Sequence, residues 1–204
     1  MLIWRNTMNK FLIKLMYGVM VTFIFKPVPV LSAQSFLGIS FNEPLVVEKC
    51  EGYVNKNICS FKNDDGSFKY DNLWKGKSIN IFIPNNTAIS DLARNGISIH
   101  LKENDIVERI SFGTRGYDFQ YEILKILMKK YGKPNTKNKK LMRNAFNTKY
   151  EVISASWQLR DVEVNFKGVE ADDPDWGSVT IYTNDMAKRL SDKKRAEGNK
   201  KLKL

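Results

Sequence analysis

One helical repeat set between two alternating ones limits what this chain can become. From Asp118 to Tyr131, the apolar residues Phe119, Ile123, Leu124, Ile126, Leu127 and Tyr131 recur at three- and four-residue steps. That spacing predicts a helix with one buried stripe. Gly132 stands where a helix closes, and Pro134 prevents it from resuming. Lys129, Lys130 and Lys133 complement the negative end of the helix dipole. Ahead of this helix, Ile97, Ile99 and Leu101 alternate with Ser98, His100 and Lys102. Glu103-Asn104-Asp105 turns the chain, and Ile106, Glu108, Ile110 and Phe112 return on one parity, with Val107 on the other. Behind it, Ile153, Ala155, Trp157 and Leu159 share a face, Arg160-Asp161 turns, and Val162, Val164 and Phe166 return. Each pair reads as an antiparallel hairpin with one buried face. The expected fold class is therefore α+β: a mainly antiparallel sheet with one long helix packed on one face. Ser178–Thr183 is the last predicted strand, and a C-terminal basic helix or tail follows.

The remaining segments carry weaker signals. Residues 35–47 (SFLGISFNEPLVV) read as an entry strand, a turn at Asn42-Glu43-Pro44 and a short second strand. Asn63-Asp64-Asp65-Gly66 is a strong turn signal, and Ser78–Ile83 alternates as a strand stopped by Pro84. Thr87–Arg94 reads as one helical turn ended by Gly96. Asn135–Lys140 and Ala171–Gly177 read as polar loops.

The first 33 residues stand apart from this pattern. Residues 1–14 hold Arg5, Lys10 and Lys14 and no acid; residues 15–25 are almost wholly apolar; Leu31-Ser32-Ala33 follows. That order predicts a signal peptide cleaved after Ala33. The apolar run falls short of the roughly 20 residues a spanning helix needs, so no transmembrane span is expected in the mature chain. An uncleaved anchor is the alternative, kept open by Lys26 near the end of the run. Met8 offers an alternative start with a more ordinary leader. Residues 34–187 are expected to form a single domain, and 188–204 a basic, partly disordered tail.

Charge follows this division. The chain carries 33 Lys and Arg against 22 Asp and Glu, net +11. Without the four leader bases, 29 remain against 22 acids, or +7. From Lys188 onward there are eight bases and two acids, or +6, which leaves about +1 for the body. A nucleic-acid-binding domain carries its basic face on the domain itself, so no nucleic-acid partner is expected. An envelope protein or an anionic surface is the expected partner class. The candidate tail contacts are Lys193, Lys194, Arg195, Lys200 and Lys201.

Cys50 and Cys59 are the only cysteines. In an oxidising compartment an even count predicts a disulfide. Their spacing is too wide for a Cys-x-x-Cys redox pair. A metal site needs more ligands than these thiols and the single His100 supply.

No catalytic constellation stands out. His100 falls on the polar parity of its strand and reads as a surface histidine, not a base. Asp172, Asp173 and Asp175 sit in a Pro- and Gly-containing loop that reads as a turn. A calcium loop fits worse, because Gly177 falls where a ligand belongs. Gly113-Thr-Arg-Gly116 reads as a strand-to-helix connection. Trp157 lies on the core parity, whereas Trp74 and Trp176 lie in polar segments and are candidate contact residues. No catalytic, cofactor or metal residues are assigned.

The stretch RISFGTRGYDFQYEILKILMKKYGKP (109–134), with ISASW (153–157), the strand Val162–Phe166 and the opening FLGISFNEPLVVEKC (36–50), resembles a group of small exported bacterial proteins of mostly unassigned function. These share a strand, helix, Lys-Tyr-Gly-x-Pro, hairpin and strand. The resemblance implies the same α+β fold and export, and it supplies no catalytic residues. The expectation is a periplasmic, or alternatively secreted, non-enzymatic binding module of the cell envelope. A carboxylate-based envelope hydrolase and a polyanion binder acting through the tail are the alternatives.

Overall fold

The alternating segments pair into one large sheet. A computed structural model describes residues 35–51, 57–70, 77–83, 93–143, 147–170 and 173–201, with backbone alone for 94, 95 and 199–201. Residues 1–33, read as a signal peptide, and Trp74 lie outside the described residues. Eleven strands are described: β1 Ser35–Phe36, β2 Ile39–Ser40, β3 Glu48–Lys49, β4 Cys59–Ser60, β5 Lys77–Phe82, β6 Ala93–Leu101, β7 Val107–Thr114, β8 Thr136–Arg143, β9 Lys149–Gln158, β10 Val162–Lys167 and β11 Gly177–Thr183. Helix α1 spans Gly116–Tyr131 and helix α2 spans Asn184–Lys201. β1 and β2 form a small hairpin, and the other nine strands run in the order β3-β4-β5-β6-β7-β11-β10-β9-β8. β3 and β4 are parallel; every other described pairing is antiparallel.

Period-two alternation divides this sheet into two faces. On one face Ile79, Ile81, Ile97, Ile99, Ile110, Phe112, Val179, Ile181, Val164, Phe166, Ile153 and Trp157 are all buried. Burying each such side chain is worth about 1.5–3 kcal/mol. Helix α1 covers this face with Ile123, Leu124, Leu127 and Tyr131. Gly132 closes the helix at φ +79°, and its N–H donates to the Met128 carbonyl at 2.9 Å. Its own carbonyl accepts from Trp157 Nε1 at 2.9 Å, so the helix end is fixed to β9. The N-terminal segment also packs on this face. Phe36 stacks on Phe112 with ring centroids 5.5 Å apart. Asn42 N–H donates to the Val107 carbonyl, and Val107 N–H to that of Glu43.

The two sheet edges differ. At one, β3 and β4 are two residues each, and a Cys50–Cys59 disulfide with Cα atoms 5.1 Å apart joins them. At the other, β8 is eight residues long and ladders to β9 along its whole length.

Three expectations are corrected. Asn135–Lys140 is not a loop: its residues from Thr136 belong to β8, a strand exposed on both faces and so without hydrophobic alternation. Thr87–Arg94 is not followed by a helix stop. Ala93 and Arg94 already belong to β6, and Gly96, at φ +80°, sits where the register shifts between Arg94 and Ile97; residues 84–92 lie outside the described residues. The entry strand over 35–47 is broken by Leu37 and Gly38, both at positive φ, into the β1–β2 hairpin. Of the two forms expected for the C-terminus, helix or tail, the helix is present as α2, Asn184–Lys201.

Candidate functional site

The second face of the sheet is polar, and strand register arranges it in rows. One row crosses seven strands as Asn80, Ser98, Ser111, Thr180, Asn165, Ser156 and Thr136. Neighbours in such a row are about 4.8 Å apart. All seven are hydroxyl or amide side chains, half-buried or exposed. Thr136 Oγ1 and Ser156 Oγ lie 2.7 Å apart. Asn165 donates to Glu163 Oε1 at 2.7 Å and to the Tyr182 hydroxyl at 2.5 Å.

The next row carries the charge: Ser78, His100, Arg109, Tyr182, Glu163 and Gln158. His100 Nδ1 lies 3.2 Å from Ser78 Oγ. Burial, then repulsion from Arg109, holds its pKa below the usual value. Burial also lowers the pKa of Arg109, whose Nε is buried without a hydrogen-bond partner among the described residues. Beside them, the register between β6 and β7 shifts by one residue, and the extra residue is Glu108. Arg189 of α2 meets Glu108 Oε1 at 2.6 Å.

Strand β8 extends both faces to the sheet's open edge. Lys137, Lys139, Leu141 and Arg143 pair with β9 residues of the α1 side, and Thr136, Asn138, Lys140 and Met142 with those of the polar side. The strand holds four bases and no acid. Lys139 pairs with Glu151 at 2.8 Å, and Tyr121 donates to the same oxygen at 2.7 Å. Leu141 is 62% exposed, and Tyr117 and Tyr121 of α1 are exposed as well. Tyr117 packs edge-on against Tyr150 at 5.6 Å.

The residues singled out from sequence fall in separate places. Cys50 and Cys59 are bonded at the far edge. Trp176 is half-buried over Gly113, where a Cβ would run into its ring. Lys193, Lys194 and Arg195 are exposed on α2; Lys200 and Lys201 belong to its last turn, without described side chains. The structure does not gather them into one site. The polar rows and the β8 edge were missed as a unit. The only early signal was the Ser/Thr/Asn content at the outward parity of each strand.

Several described carboxylates are tied into contacts. Asp105 accepts from Tyr70 at 2.6 Å, which pushes the Tyr70 pKa up to about 12. Hydrogen bonds from Lys139 and Tyr121 lower the pKa of Glu151. Burial pushes Glu170 up, but hydrogen bonds from Ser178 and Lys167 outweigh it and leave the pKa lowered. A glycosidase-type general acid needs the opposite shift. Asp175 N–H donates to Asp173 Oδ1 at 2.9 Å, as in a turn; Asp172 lies outside the described residues. Among the described residues, no group of three or more His, Cys, Asp or Glu converges as a metal site requires.

Comparison with protein families, with curated proteins and with solved structures finds no match for this chain.

Proposed function

We propose that the protein is a non-enzymatic binding module exported to the cell envelope, acting in the periplasm or, alternatively, outside the cell. The observation that carries this reading is the β8 edge, eight residues long and basic, continuous with a polar sheet face of hydroxyl and amide side chains. Edges are ordinarily shortened, bulged, covered or lined with charge; among the described residues the β3–β4 end is short, whereas β8 keeps eight residues and is lined with four bases. The Cys50–Cys59 disulfide is compatible with an exported protein. Among the described residues, no helix is long and apolar enough to cross a membrane.

A second reading, binding of a polyanion through α2, has its own support in the exposed Lys193, Lys194 and Arg195. The test is retention of a partner from envelope extract on the immobilised protein. The comparison is a variant in which Lys193, Lys194 and Arg195 are changed to Gln. Equal retention by both supports binding through the sheet. Loss with the variant favours the polyanion reading, and no retained partner by either form overturns both.

A further inference from the structure

We infer that β8 accepts an extended acidic peptide segment as a tenth strand of the sheet, an inference that rests on the binding-module reading and names its partner chemistry. In an antiparallel strand, every second residue turns its N–H and C=O away from its neighbour. β8 pairs with β9 from Thr136 to Arg143 without a register shift, so its outer edge is regular along eight residues. Seven of these are exposed. Backbone groups supply affinity in such strand additions, and alternate side chains supply specificity.

Charge selects the occupant. Lys137, Lys139 and Arg143 lie on one face of β8 and Lys140 on the other, and Lys149 stands opposite Arg143. Glu151, already held by Lys139 and Tyr121, is the acid placed opposite β8 on β9. A second copy of this strand would bring like charges together across the new ladder, which is destabilising. An incoming strand with acids at alternate positions places one opposite each base of the α1 side. Its intervening apolar residues fall opposite Asn138, Lys140 and Met142 on the polar side. The lysines thus exclude self-pairing and admit one class of partner.

The experiment measures binding of three fluorescent octapeptides to the full chain by anisotropy. One alternates Glu with Val, one alternates Lys with Val, and one keeps the Glu-Val sequence but is N-methylated at the backbone nitrogen of two Glu. The Glu-Val peptide is expected to bind, with an affinity that falls as salt rises. The Lys-Val and the N-methylated peptides are each expected to bind at least about tenfold more weakly, since one loses the charge match and the other the backbone donors of the Glu residues, which face β8. Lys137→Glu combined with Lys140→Glu, on two exposed positions, is expected to weaken Glu-Val binding by a similar factor with an unchanged unfolding midpoint. Equal binding of the Glu-Val and N-methylated peptides overturns strand addition in favour of charge alone. Failure of all three peptides to bind, while the protein still retains a partner from envelope extract, overturns this inference and leaves the binding-module reading standing.

Discussion

Glu108 and Arg189, 81 residues apart, join the sheet to the C-terminal helix through a 2.6 Å ion pair. The Glu108 side chain is only 4% exposed, while that of Arg189 is 60% exposed. Removing the arginine strands a buried charge, and the solvent around Arg189 moderates the loss. Arg189→Ala is expected to cost about 1–3 kcal/mol in denaturant unfolding. Glu108→Gln combined with Arg189→Met should recover part of that cost, because the buried charge is gone. A double variant no more stable than Arg189→Ala would show that the pair does not carry this energy.

Gln120 fixes α1 to β9. It is fully buried, donates to the Glu151 carbonyl at 2.8 Å and accepts from Ile153 N–H at 2.9 Å. Gln120→Ala leaves two backbone groups unpaired and opens a cavity, with an expected loss of about 2–4 kcal/mol. Hydrogen exchange should show the Ile153 amide opening well before its β9 neighbours.

Gly116 permits the turn from β7 into α1. Its φ is +57°, and a Cβ would collide with the backbone of Pro174 and Asp175. Tyr117 N–H donates to the Pro174 carbonyl at 2.9 Å, so the helix start and the 173–176 loop are locked together. Gly116→Ala is expected to destabilise by about 2 kcal/mol or more. It should also change the emission of Trp176, which packs at the same junction. An unchanged emission and midpoint would contradict this account.

His100 gives stability a pH dependence that one substitution isolates. Its folded pKa lies below the unfolded value near 6.5. The unfolded chain therefore takes up a proton first as pH falls. The associated stability is complete above about pH 6.5 and is lost as pH drops through the window down to the lower folded pKa. His100→Gln should flatten unfolding free energy against pH between about 7 and 5.5, since this is the chain's one histidine. An unchanged slope would place the dependence on other groups.

The elements with one buried face were readable in advance. Ile97, Ile99 and Leu101, or Ile153, Ala155 and Trp157, announce their strands because burial on one side imposes a period of two. The α1 stripe and its Gly132 stop were readable for the same reason, and Gln120 could have been noticed as a polar residue on that stripe. β8 was not readable. Thr136–Arg143 is exposed on both sides and held by backbone bonds to β9, so nothing in its side chains reports the pairing. Gly96 signals a break in either reading, and whether it ends a helix or shifts a strand register depends on β7, its partner. The polar rows depend on register between strands distant in sequence, which no local pattern encodes.

The most direct test is a hydrogen-exchange footprint of the full chain bound to the partner it retains from envelope extract. Binding through the sheet predicts protection concentrated at residues 136–143, extending into the 150–158 strand beside them. Protection confined to residues 188–201, with the β8 amides exchanging as in the free protein, would contradict it.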